Sequence, residues 1–212
     1  KKQLELHDEF KKAGITAVIG VGMSVGTTNV MARYAYDLLD EIESVQFQAG
    51  GRDMTDYKGV QVCLPPSSQR TLMREFIWEP EEFIDGKYQT FPVLSGAEEI
   101  TFPEPIGTIS CTRVVHAELA TIPKSFADKG IKNVTWRYNL IPRLNYISQI
   151  LAMCGMGSEE EIDINGKKVL PIDVLMATMQ REAEVRTKGL NIKTNTIMCQ
   201  RVIVDGKKNG KN

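Results

Sequence analysis

A chain of 212 residues, 25% charged and 42% apolar, is long enough to bury a sizeable core as one or two domains. Its 26 basic residues against 27 acidic ones give a net charge of −1, which argues against a nucleic-acid surface or an electrostatic membrane-docking face. No apolar run approaches the roughly 18 residues that cross a bilayer. The four cysteines, Cys63, Cys111, Cys154 and Cys199, contain no CxxC pair, which points to reduced thiols in a cytoplasmic setting and away from a cysteine metal site. His7 and His116 are the only histidines, too few for a histidine metal centre.

Lys1 to Ala13 reads as the end of an amphipathic helix, with Gly14 as its stop. The β-branched run Ile15–Ile19 predicts a strand, followed by a loop with Gly20, Gly22 and Gly26. From Asn29 to about Ile42, apolar residues at helical spacing predict a helix. Glu43–Gln48 alternates as a half-buried strand that Gly50-Gly51 would end. Val60–Leu64 reads as a strand, Pro65-Pro66-Ser67-Ser68 as a helix entry, and Thr71–Trp78 as the helix. Glu82–Ile84 and Tyr88–Thr90 flank an Asp85-Gly86 hairpin turn. Further strands are expected at Ile109–Val115, Asn133–Tyr138 and Thr196–Val204, helices at Ile141–Met153 and Ile172–Arg186, and a second hairpin around Asn165-Gly166. The methionines Met153, Met156, Met176 and Met179 read as core filler, and Lys207–Asn212 as a hairpin tip or a frayed tail. The predicted class is α/β (α+β): a mixed, largely antiparallel sheet covered by helices.

The strand–glycine loop–helix unit supports two readings. Gly20-x-Gly22-x-x-x-Gly26 is close to a dinucleotide fingerprint, and Arg52 after the next strand would suit the 2′-phosphate of NADP, making a self-contained NADP-binding Rossmann protein. Against it, the chain soon turns into hairpins where further parallel strand–helix units are needed.

The second reading comes from a resemblance. Ala13–Ala32, the stretch Asp85-Gly86-Lys87 with Pro92–Gly96, the run Glu98–Thr108, and His116–Pro123 followed by Gly130–Thr135 resemble, in order and spacing, the saccharopine dehydrogenase family in its reductase and lysine 6-dehydrogenase-like branch. The resemblance runs to about residue 150 and is loose beyond; relatives commonly carry Pro where Val25 stands. It implies that residues 1–32 are the end of a Rossmann domain with the interdomain connection, and that residues 33–212 form the C-terminal substrate-binding and dimerisation domain, its closing segment absent. It further implies an oxidoreductase that uses NADP or NAD, held mainly by another domain, on the CH–NH group of an amino acid such as saccharopine or lysine. A homodimer with a small amino-acid-derived substrate, and neither nucleic acid nor membrane as partner, follows. A non-catalytic binding or scaffold module on the same fold is the alternative in a different class.

Candidate site residues follow from that chemistry. Gly22 and Ser24 lie where a cofactor would touch the loop. Gly26, Thr27, Thr28 and Asn29 open a helix whose free N–H groups suit a carboxylate, or simply form a capping turn with Thr28 or Asn29 as cap. His116 and Glu118, two residues apart at the end of a predicted strand, would share one face and could relay a proton as the catalytic pair, unless His116 is merely structural. Thr121, read as a loop residue, could reach a substrate carboxylate. Arg143, Arg113 and Arg137 are candidate carboxylate clamps, Arg137 and Arg143 also reading as solvated residues, and Arg52 and Asp53 could face the same cleft.

Overall fold

The computed structural model describes residues 2–62 and 68–211; the end of the predicted strand at Cys63-Leu64 and the helix entry at Pro65–Ser67 lie outside the described residues. In chain order the elements are α1 (Lys2–Glu5), α2 (His7–Lys12), a single wide turn at Met23–Thr27, α3 (Thr28–Leu38), β1 (Glu41–Asp53), α4 (Gln69–Glu75), β2 (Glu81–Ile84), β3 (Lys87–Thr90), β4 (Glu98–Thr101) and β5 (Thr108–Cys111). They continue with α5 (Glu118–Ser125), β6 (Asn133–Asn139), α6 (Pro142–Met153), β7 (Ile162–Ile164), β8 (Lys167–Val169), α7 (Pro171–Thr187) and β9 (Thr196–Lys207). Both long late helices carry proline in their first turn, where its missing N–H costs nothing. Asp85-Gly86 and Asn165-Gly166 turn with positive φ at both residues, as two-residue hairpins require. Ser68 caps α4 by accepting the Thr71 N–H at 3.3 Å.

Five strands form one mixed sheet in the order β3-β2-β6-β1-β9, in which only β1 and β6 run parallel. Alternation along β1 and β6 brings Val45, Phe47, Ala49, Val134, Trp136 and Tyr138 to one face, in register: Phe47 lies opposite Trp136 and their rings stack at 5.9 Å. Ala32 and Tyr36 of α3, Leu72 and Phe76 from α4 and its end, Leu119 and Ile122 of α5 and Leu144 of α6 cover that face as the main core. On the other face the β4–β5 hairpin packs Ile100, Phe102, Ile106 and Cys111 against Ile197 and Cys199. The Cys111 thiol is held up at about 12 by burial and by Glu99 and Glu98, consistent with an inert core thiol. The rest of the second face is open and polar, lined by Ser44, Gln46, Asn133, Thr135 and Asp205. No helix among the described residues is long and apolar enough to cross a membrane.

Several expectations change. Ile15–Ile19 is no strand: it has no regular secondary structure and no ladder partner, and Val18 is 77% exposed. A β-branched run becomes a strand only beside another strand, and none of the described residues pairs with it. β1 does not end at Gly50-Gly51 but runs through them to Asp53. Both glycines serve close approach: a Cβ at Gly50 would collide with the Phe102 ring, and one at Gly51 with the Leu140 carbonyl. Val60–Val62 is irregular, and the strand predicted to reach Val115 stops at Cys111. Met156, Met176 and Met179 pack around Met73, Ile172 and Leu175 as expected, but Met153 is 88% exposed.

Arg113 and Arg137, read as carboxylate clamps, do clamp a carboxylate, but an internal one. Glu82 of β2 is fully buried on the face away from Trp136. It accepts from Arg137 Nη1, from the Trp136 backbone N–H at 3.2 Å and from Arg113 Nε at 2.8 Å. Arg137 is therefore not on a solvated face; it also donates to Glu98 at 2.8 Å.

Removing one member of a buried ion cluster leaves its partners' charge uncompensated, so Glu82→Ala is expected to cost roughly 3–5 kcal/mol by urea denaturation, against under about 1 kcal/mol for Asp37→Ala in the exposed Arg33–Asp37 pair. Gly51→Ala forces the β1 backbone away from Leu140 and is expected to lower stability by about 2 kcal/mol in the same assay; an unchanged midpoint would contradict the close approach.

Candidate functional site

The wide turn after Gly22 closes with the Thr27 N–H donating to Gly22 O at 2.9 Å and the Thr27 hydroxyl donating to the same carbonyl at 3.3 Å. Gly26 holds φ 136°, a region open to glycine, and a Cβ there would lie 3.0 Å from Gly20 O. Ser24 is tied to the sheet, its hydroxyl accepting from the Gln200 side-chain amide of β9. The chain then enters α3 at Thr28. Asn29 ties two segments together: its Oδ1 accepts from the Gly26 N–H at 3.2 Å, and its Nδ2 donates to Thr121 Oγ1 at 3.3 Å.

Thr28 is not a cap. It is fully buried in the first turn of α3, and its hydroxyl donates to Glu118 Oε1. Glu118, fully buried as well, opens α5, and its Oε2 pairs with His116 Nδ1. Burial pushes the Glu118 carboxyl up, but the hydrogen bonds from His116 and Thr28 outweigh it and hold the group below its ordinary range. The group is therefore an anion at neutral pH, placed where the start of a helix favours negative charge. The His116 ring lies 4.6 Å from the Trp136 ring, over the middle of β6.

The pair was expected from alternation along a strand. Its actual basis is different: His116 sits in the loop after β5 and Glu118 in the first turn of a helix that periodicity did not reveal, because Pro123 interrupts the pattern. Thr121 is likewise on α5 and not in a loop, its hydroxyl donating to Ala117 O at 3.3 Å. The structure thus gathers Gly22, Ser24, Gly26, Thr27, Thr28, Asn29, His116, Glu118 and Thr121 around the starts of α3 and α5.

Arg143 lies elsewhere, at the start of α6, on the wall of a cavity of about 650 Å³ beyond the carboxyl ends of the parallel strands β1 and β6. Arg52 and Asp53 line the same cavity, with Ile106, Ile141 and Leu144 on its apolar side. Arg52 donates to Pro105 O at 2.7 Å. Burial pushes the Asp53 carboxyl up, but hydrogen bonds from Thr55 and Tyr57, with Arg143 beyond them, bring it below the usual range. The cavity therefore combines cations, an anion and an apolar wall, a lining suited to a zwitterion with an aliphatic chain.

The residues around the glycine turn do not build a nucleotide cradle. The run before it has no parallel neighbour among the described residues, and the N–H groups of Gly26 and Thr27 are already paired within the turn. A self-contained Rossmann fold around this turn is not what the chain forms. Sequence reasoning also missed Glu75, the last residue of α4, whose enclosed Oε2 has no hydrogen-bond partner in the protein; its one signal was a carboxyl three residues after Leu72 on an otherwise apolar helix face. Among the described residues no cluster of three histidine, cysteine or acidic side chains is placed to hold a metal.

No family model matches the chain. Among curated proteins it is 25% identical to a carboxyaminopropylagmatine dehydrogenase of Synechocystis sp., over 86% of this chain and 44% of that protein. It is 27% identical to a carboxynorspermidine synthase of Vibrio cholerae, over 99% of this chain and 48% of that protein. The chain spans about half the length of the curated relatives it matches. Among solved structures it is similar to the saccharopine dehydrogenase (L-Glu forming) of Saccharomyces cerevisiae, with a TM-score of 0.48 and 19% identity, covering 74% of this chain and 36% of that one. By its sequence relatives the chain is similar to the saccharopine dehydrogenase-like superfamily.

Proposed function

We propose that this chain is the substrate-side part of an NAD(P)-dependent oxidoreductase acting on the carbon–nitrogen bond of an amino-acid-derived amine. The observation that carries the reading is the buried chain Thr28–Glu118–His116 at the meeting of two helix starts, directly behind the three-glycine turn. A dehydrogenase of amines must move one proton on or off nitrogen, and an imidazole fixed by an anion on Nδ1 leaves Nε2 for that task. The similarity to a carboxyaminopropylagmatine dehydrogenase and a carboxynorspermidine synthase supports that substrate class.

Each part of the chain has a role in this reading. His116 is the proton donor or acceptor, and Glu118 with Thr28 holds its ring. Gly26, Thr27, Asn29 and Thr121 shape the floor of the site. Arg143 and Arg52 attract a substrate carboxylate into the strand-end cavity, and Asp53 attracts an ammonium group. A nicotinamide dinucleotide supplies the hydride chemistry when bound; Gly22 and Ser24 are the points at which this chain would touch it, since the glycine turn offers no cradle of its own. The assembly is a homodimer in the cytoplasm, for which Val30, Tyr34 and Leu38, exposed along one face of α3, offer an apolar contact surface.

In the full-length protein, assayed for NADPH- and NADH-dependent reduction of mixtures of carboxylated aldehydes with diamines, His116→Gln is expected to lower kcat by about 10²–10⁴-fold with little change in KM, and Thr28→Val by less. Turnover unchanged in His116→Gln would remove the histidine from the chemistry; wild-type protein that binds such amines without turning them over would favour a non-catalytic module. Sedimentation velocity is expected to give a dimer that Tyr34→Glu dissociates, and a monomeric wild type would end that part of the reading.

A further inference from the structure

The two edges of the five-stranded sheet are built differently. β3 ends one side with four exposed residues, Lys87 among them, too short and too charged to extend the ladder. β9 ends the other side with twelve, Thr196–Lys207, and no proline breaks them. Among the described residues β9 pairs with β1 alone, so its outer row of N–H and C=O groups faces no strand. Val202 and Val204, at the middle of β9, are only half-buried, whereas Phe47 and Val45 opposite them on β1 are fully buried. An open edge of this length is a template for another strand.

The charges on β9 select the strand that fits. Arg201 and Asp205 both lie on the sheet face away from the main core: Arg201 donates to the Thr101 carbonyl, and Asp205 accepts from the Ser44 hydroxyl at 2.6 Å. Neither has an ionic partner among the described residues. Four residues apart on one strand, with a rise of about 3.3 Å per residue, they are out of each other's reach.

Opposite charges so placed are complementary to a copy of themselves. A two-fold axis normal to the sheet lays a second β9 antiparallel beside the first and keeps each face on its own side. With Ile203 on the axis, Arg201 faces Asp205 of the second copy and Asp205 faces its Arg201, while Val202 and Val204 meet crosswise on the core side. An axis at Arg201 sets two guanidinium groups against each other, and one at Val204 sets Arg201 against Lys207. An axis at Val202 leaves both charges opposite uncharged side chains. α3 lies over β9, so the axis at Ile203 also brings the two α3 helices, with their exposed Tyr34 and Leu38, to one side of the joined sheet.

We propose that β9 is the edge through which two copies of this chain join, antiparallel about Ile203, into one continuous sheet flanked by two Arg201–Asp205 ion pairs. The proposal rests on the reading of the assembly as a homodimer and fixes where its two-fold lies.

Sedimentation velocity of the full-length protein tests it. Arg201→Asp and Asp205→Arg each turn both ion pairs into like-charge contacts and are expected to raise the dimer dissociation constant about 100-fold or more. Mixed in equal amounts, the two variants are expected to regain a dimer of wild-type affinity, because each charge then meets its opposite. A monomeric wild type overturns the homodimer reading and this proposal with it. A dimer that both substitutions leave intact overturns the β9 edge alone and leaves the homodimer standing. Two monomeric variants that do not recombine overturn the register about Ile203. If either variant does not fold, Ile203→Cys carries the test. A residue on the axis faces its own copy at about 4.5–5.5 Å between Cα atoms, within disulfide range. Oxidised Ile203→Cys is therefore expected to run as a dimer on a non-reducing gel and Gln89→Cys, on the β3 edge, as a monomer; no cross-link at 203, or equal cross-linking at both positions, overturns the proposal.

Discussion

One buried anion holds the candidate site together. Glu118 is out of water on every side, and a carboxylate so placed persists only where hydrogen bonds and opposite charge replace its hydration. Thr28 replaces it from α3 and His116 from the loop after β5, so a single carboxylate fixes three segments relative to one another. The distance in sequence is large, since ninety positions separate Thr28 from Glu118. The glycine turn depends on the same joint. Its exit direction is the direction of α3, and α3 is seated by Thr28 below and by Asn29 reaching Thr121 above. Rigidity in such a site has a chemical use: a ring held through Nδ1 presents its other nitrogen in one orientation.

The sheet beneath makes that joint possible. β1 and β6 run parallel and in register, which stacks Phe47 on Trp136 and gives His116 an aromatic surface to rest on. The close approaches at Gly50 and Gly51 let β1 continue past the point where a side chain would meet Phe102 or the Leu140 carbonyl. The strand ends therefore stay open, and the cavity bounded by Arg52, Asp53 and Arg143 lies there. A crevice at the carboxyl ends of parallel strands is a usual place for a ligand in a sheet with helices on it, and here a single parallel pair is enough to make one.

The parts of this fold legible in the sequence are those whose cause is local. Asp85-Gly86 and Asn165-Gly166 fold their own hairpins, Pro142 and Pro171 open their own helices, and Ser68 caps α4. What was not legible depends on partners far along the chain. Ile15–Ile19 has the composition of a strand, but composition supplies no neighbour. α5 was hidden because Pro123 sits inside it, so the proximity of His116 and Glu118 was anticipated for a reason that does not hold: alternation predicts a shared strand face, while a helix start following a loop achieves the contact by another geometry. Glu75 was the more instructive omission. A glutamate near a helix end is ordinarily a solvated residue, and only tertiary packing encloses one of its oxygens here without a hydrogen-bond partner.

The arginines sharpen the point, because the same side chain has two fates here. Arg113 and Arg137 converge on Glu82, a carboxylate the chain itself supplies, and the cluster is complete without any ligand. Arg143 stands on the wall of an open cavity, with the Asp53 carboxylate in electrostatic reach but bound chiefly by Thr55 and Tyr57. Guanidinium chemistry is identical in the two places, so residue type alone cannot separate a structural clamp from a binding one. The separation comes from where the nearest carboxylate belongs. Where the chain closes the ion pair internally, the arginine holds the sheet; where the internal partner is already satisfied by other donors, the guanidinium keeps donors for an anion that arrives from outside. By that criterion the guanidinium open to an outside anion stands at the cavity end of the sheet, and not on its ion-paired face.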